Sequence, residues 1–143
     1  MGRILALDYG RKRVGIAVTD TLQLIANGLD TVPSATIINF LKQYFEKERV
    51  DLVVIGYPLQ MNNEPSEAVL FIDQFIDGFK KKFPEMKFYL MDERFTSKMA
   101  SRAMIDGGLK KKKRQDKWLI DKVSATIILQ SYLEMRNNIQ NFR

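Results

Sequence analysis

The spacing of apolar residues changes period several times along the chain, and each change marks an element. Ile4-Leu5-Ala6-Leu7 is a short apolar run, followed by Asp8-Tyr9-Gly10 and three basic residues, Arg11, Lys12 and Arg13. A second run, Val14 to Thr19, is rich in β-branched residues, so the two runs predict a β-hairpin. Leu22 to Val32 predicts a third strand with a weaker pattern, ended by Pro33, and Ser34 is placed to cap a helix. Ile37, Ile38, Leu41, Tyr44 and Phe45 then recur at helical spacing and predict a first helix to about Arg49. The stretch DLVVIG, residues 51 to 56, is continuously apolar at its centre, as in a strand covered on both faces.

After a polar loop, Leu70, Ile72, Phe75, Ile76 and Phe79 line one side of a second helix, Glu67 to Phe83, which Pro84 stops. Lys87 to Met91 predicts a fifth strand running into a polar turn. There Thr96 or Ser97 is expected to cap a short helix to Ile105, closed by Gly107-Gly108. A last helix is predicted from Trp118 to about Arg136, with a frayed polar tail over 136–143. Three antiparallel strands followed by alternating strands and helices predict an α/β fold, a mixed five-stranded sheet flanked by helices.

Composition narrows the chemistry more than the fold. At 143 residues, 45% hydrophobic and 28% charged, the chain suits one globular domain, residues 1–143, with a substantial core. Asp8 interrupts the hydrophobicity that a signal peptide would need, and Ala6 fails the myristoylation pattern, so a cytoplasmic protein without membrane partners is expected. Neither cysteine nor histidine is present. Disulfides, zinc fingers, cysteine nucleophiles and Ser-His-Asp triads are thereby excluded. Hydrolytic chemistry has to rest on carboxylates, hydroxyls, lysines or a metal held by oxygens, which favours Mg²⁺ or Mn²⁺.

The net charge of +6 is unevenly spread, because Lys110 to Lys117 (KKKKRQDK) holds six basic residues and one acid. Lys110, Lys111, Lys112, Lys113 and Arg114 read either as a phosphate-binding footprint or as a solvated connector. Arg11, Lys12, Arg13 and Arg94 divide in the same way, between nucleic-acid phosphate contacts and ordinary surface charge. Gly10 either gives a phosphate backbone close access to Asp8 or simply makes the turn.

Three carboxylates stand in telling places. Asp8 closes the first strand, although aspartate also starts turns. Glu93 follows the fifth strand, where α/β sheets gather their sites, although Arg94 beside it allows a surface ion pair. Asp121 shares a helix face with Ala125, Ile128 and Tyr132, an acid on a buried stripe, although the first turn of a helix also favours an acid. Converging, the three would make a divalent-metal site.

The motifs LALDYGRKRVGIAVTD, GYPLQMN, DERFTS and KWLIDKVSATIILQSYL, in this order, resemble the YqgF/RuvX family of pre-16S rRNA nucleases, relatives of the Holliday-junction resolvase. The resemblance spans nearly the whole chain. It implies an RNase H-like fold with the first strand central and two parallel strands beside it, and a catalytic, metal-binding set matching Asp8, Glu93 and Asp121. It further implies hydrolysis of phosphodiester bonds in precursor rRNA during ribosome biogenesis, for which a pair of divalent ions held by carboxylates suffices; monomer and homodimer both stay open. Structured DNA is the alternative substrate, and a non-catalytic RNA-binding or transcription factor the alternative role. The chain departs from the resolvases in having Gly56-Tyr57-Pro58 where they carry an acid after the fourth strand. An ATP site of the actin or sugar-kinase kind also begins with a strand and an Asp-x-Gly turn, but needs a duplicated domain that this length does not supply.

Overall fold

The computed structural model of the chain describes residues 2–58, 67–92 and 116–141. The predicted short helix to Ile105 and the basic segment 110–114 lie outside these residues. The described elements are β1 (Arg3–Tyr9), β2 (Arg13–Thr19), β3 (Ala26–Pro33), a 3-10 turn (Ser34–Thr36), α1 (Ile37–Lys47), β4 (Val50–Tyr57), α2 (Glu67–Lys82), β5 (Phe88–Asp92) and α3 (Lys117–Asn141). They build one sheet of order β3-β2-β1-β4-β5, antiparallel on the hairpin side and parallel between β1, β4 and β5. The expected mixed α/β sheet with β1 at its centre is therefore the observed one.

Each strand face packs on its own helices. On one side Leu5, Leu7, Val14, Ile16, Val53 and Ile55 meet Ile37 and Leu41 of α1 and Ile72, Phe75, Ile76 and Phe79 of α2. Aromatic rings extend this core, with Tyr9 stacked on Phe75 at 4.5 Å and Phe79 against Phe83 at 5.3 Å. On the other side Ile4, Ala6, Ala17 and Val54 meet Ala125, Ile128, Leu129 and Leu133 of α3. Burying each of the larger aliphatic or aromatic side chains contributes about 1.5–3 kcal/mol, so both faces contribute heavily to stability. The buried hydroxyl of Thr19 is satisfied, accepting the Ile4 N–H at 2.9 Å and donating to the Asp20 carbonyl at 2.8 Å.

Three local features differ from the sequence expectation. β3 begins at Ala26 rather than Leu22, because the Asp20 carboxylate takes the backbone N–H groups of Leu22, Leu24 and Ile25 and makes that stretch a turn. Ser34 is not the helix cap; its N–H donates to the Lys12 carbonyl and its hydroxyl to that of Arg11, tying the end of β3 to the hairpin. Thr36 precedes α1 without a side-chain capping bond. α3 begins at Lys117, where Asp116 accepts the N–H of Trp118 at 3.0 Å as its cap, and it continues past Arg136 to Asn141.

Helix α3 comes close against the sheet at Gly15. A Cβ there would collide with the Asp121 carbonyl group. Since that obstacle is backbone, Gly15→Ala is expected to lift α3 from the sheet and to cost about 3 kcal/mol or more, measured by urea unfolding. Wild-type stability in this variant would show that α3 does not rest on β2 there.

Candidate active site

Alternation along β1 puts Ile4 and Ala6 in the core beneath α3, and Asp8 follows them onto the same face. In the antiparallel pairing Asp8 stands directly opposite Gly15. Opposed residues point to one side of a sheet, so the Asp8 side chain leaves the sheet where Gly15 touches the Asp121 backbone. Two of the three expected carboxylates thus share one face at the carboxyl end of β1, beside the end of the parallel neighbour β4. Glu93, the third, lies outside the described residues, as do Arg94, Lys110, Lys111, Lys112, Lys113 and Arg114. Among the described residues no three carboxylates cluster closely enough to hold a metal alone.

Asp121 sits in the second turn of α3, not the first, because Asp116 occupies the cap and Lys117 opens the helix. A helix-dipole role therefore does not account for it. Its Oδ2 accepts a hydrogen bond from Arg13 Nε at 2.8 Å, and about a fifth to a quarter of each side chain is exposed, 22% for Asp121 and 24% for Arg13. Burial pushes the Asp121 carboxyl above its ordinary value near 3.8, and the hydrogen bond and charge of Arg13, with the charge of Lys117, pull it back only in part.

Arg13, expected to meet phosphates, is thus the ion-pair partner of an expected catalytic acid. Its guanidinium also lies over the Trp118 ring at 5.9 Å. Arg11 and Lys12 remain exposed at the hairpin tip, Arg11 over the Phe71 ring at 4.9 Å. The N–H of Gly10 donates to the Arg13 carbonyl at 2.9 Å, and a Cβ on Gly10 would press on that oxygen at 2.8 Å, so the turn itself uses the missing side chain. Beside the turn, on the α2 side, a cleft of about 210 Å³ is lined by Tyr9, Gly10, Arg11, Glu67, Phe71 and Ile72. A wider depression of about 860 Å³ lies between Phe45, Arg49, Asp51, Phe83 and Lys87. Those residues cluster at the starting ends of β4 and β5, away from the carboxylates.

Sequence reasoning missed Trp118 and Phe71 as ring supports for the two arginines. Trp118 lies in the first turn of α3 beside a capping aspartate, and Thr31 Oγ1 donates to its carbonyl at 2.6 Å, but no local pattern announces a contact 105 residues from Arg13 in the chain.

Residues 2–135 match the family model described as "RuvX: Holliday junction resolvase". A relative from Flavobacterium johnsoniae, named "Putative pre-16S rRNA nuclease", is 57% identical over 136 residues, covering 95% of this chain and 99% of the relative. One of the same name from Phocaeicola vulgatus is 55% identical over 139 residues, covering 97% and 100%. Among solved structures, T. thermophilus RuvC in complex with a Holliday junction substrate superposes with a TM-score of 0.59 at 17% identity, over 94% of this chain and 96% of that one. This last likeness establishes the fold. Among the described residues no helix is long and apolar enough to cross a membrane.

The folded state holds the Asp121 proton more tightly than the unfolded chain does, so this group's contribution to stability is full below pH 3.8 and is lost as pH rises through the folded value. Carboxyl NMR is expected to show Asp121 titrating above 3.8, and still higher in Arg13→Gln, which removes the stabilising cation. An ordinary or lower value would contradict the burial described here.

Proposed function

Because the chain belongs to the RuvX family, we propose that it is a metal-dependent nuclease that hydrolyses phosphodiester bonds of RNA, acting on the 5′ end of precursor 16S rRNA in the cytoplasm. What supports this reading is that Asp8 stands opposite Gly15, on the sheet face where the Asp121 backbone comes against that glycine. Glu93, at the position following β5, is the third member of the set by its match to the family motif.

The donor chemistry fits a hard cation, since a chain without histidine or cysteine offers only oxygens here. Asp8, Glu93 and Asp121 would hold Mg²⁺ or Mn²⁺, which would supply acidity to the attacking water and charge stabilisation to the phosphate oxygens. The protein's own part is placement. Asp8 is fixed at the end of the central strand and Asp121 on a helix pressed against it, so the two acids are positioned before substrate arrives. Arg11, steadied by the Phe71 ring, and exposed Lys12 stand at the hairpin tip, where they meet backbone phosphates without reading bases.

Cleavage of precursor rRNA, a four-way DNA junction and single strands, each in Mg²⁺, Mn²⁺ and EDTA, tests the assignment. The rRNA precursor is expected to be cut with metal and spared in EDTA; preference for the junction would transfer the activity to structured DNA, and cleavage of none would leave a binding factor. Asp8→Asn is expected to lower the rate roughly a thousandfold with stability unchanged or improved, since one of several crowded negative charges is removed. Full activity in that variant would refute the role of Asp8.

The basic segment has a separate test. Each phosphate contacted on a single strand adds about 0.7 to the slope of log affinity against log salt, so neutralising Lys110, Lys111, Lys112, Lys113 and Arg114 is expected to flatten the slope by up to roughly 3.5. RNA binding across a salt series measures it, and equal slopes would leave these residues as a connector.

A further inference from the structure

Arg13 raises a question that phosphate binding does not answer. A guanidinium destined for substrate has no need to be tied to a catalytic carboxylate, yet Arg13 Nε is 2.8 Å from Asp121 Oδ2. Resting on the nuclease reading above, we propose that Arg13 is the displaceable counter-cation of the metal site: it neutralises Asp121 while no metal is bound and yields that oxygen to a divalent cation, its guanidinium settling on the Trp118 ring.

Three observations support the exchange. Asp121 is mostly buried, and an ionised carboxylate taken from water needs a cation beside it. Oδ2, which carries the Arg13 bond, is also an oxygen a hard cation would use, and a guanidinium left in place would repel that cation. The Trp118 ring is within reach of Arg13 while the Asp121 bond is intact, its centre 5.9 Å from the guanidinium carbon, and arginine keeps its charge while stacking on an aromatic face. Only side chains need to move, since the Asp121 backbone is held against Gly15. The pair is thus an internal stand-in for the metal.

Mg²⁺ binding by calorimetry, with tryptophan emission followed in parallel, tests the exchange on wild type, Arg13→Gln, Arg13→Lys and Asp121→Asn. Trp118 is the single tryptophan of the chain, so its emission reports this site alone. Arg13→Gln is expected to bind Mg²⁺ about tenfold more tightly, because the competing charge is gone, while Arg13→Lys stays near wild type. Mg²⁺ is expected to change Trp118 emission in wild type and not in Arg13→Gln, and Asp121→Asn to lose both binding and signal. Equal or weaker Mg²⁺ affinity in folded Arg13→Gln overturns the exchange and leaves the nuclease reading standing, since wild type still binds metal. Unchanged wild-type emission at saturating Mg²⁺ overturns it without recourse to any variant. Absence of Mg²⁺ binding from every protein overturns the exchange and the metal reading together, and the EDTA arm of the cleavage assay separates that result from loss of nuclease activity.

Discussion

The contact between the Asp121 carbonyl and the bare α-carbon of Gly15 sets the geometry of everything around it. A strand residue with any side chain would hold the helix farther off, and the helix acid would then stand away from the strand acid. Ala6, Ala17 and Ala125 lie in the same seam, and the larger Ile4, Val54, Ile128, Leu129 and Leu133 fill the rest of the contact between α3 and the sheet. Close approach here is a steric condition that the charged groups inherit.

The sheet divides its work between its faces. The side covered by α1 and α2 is thick and aromatic, with Tyr9, Phe75, Phe79, Phe83 and Phe88 forming a connected set of rings. The α3 side ends in polar groups beyond Ala6 and Ala125, where Asp121 pairs with Arg13. Apolar burial on the first face offsets what the second forgoes by holding a charged pair in partly desolvated surroundings. Tyr9 and Asp8, adjacent in sequence, fall to opposite sides of this division because strand side chains alternate.

What was readable in the sequence follows from how local its cause is. The runs at residues 4–7, 14–19 and 51–56 announced central strands because burial on both faces leaves a continuous apolar signature. β3, an edge strand, carries a mixed pattern, and its start was misplaced because Asp20 diverts three N–H groups that a ladder would have used. The acid on the stripe of α3 was visible as a break in helical periodicity. Its partner was not, since nothing in the sequence around Arg13 records which of its neighbours 108 positions away it will meet. Ser34 shows the same limit: a residue well suited to capping was taken instead by the Arg11 and Lys12 carbonyls that the fold brought to it.

α3 is fastened near both ends. At its start Asp121 is bound to Arg13 and the Trp118 carbonyl to Thr31; roughly 22 Å farther on, Arg136 donates to the carbonyl and side-chain oxygens of Gln23 at 3.0 and 2.8 Å. Gln23 in turn holds a left-handed φ of 58° and donates to the Gly2 carbonyl at 2.7 Å, joining the helix to the first strand. Mechanically this is a beam clamped at its two supports. Sliding it along its axis would strain both clamps at once, so the carboxylate it carries is confined to the small arc its own side-chain torsions allow.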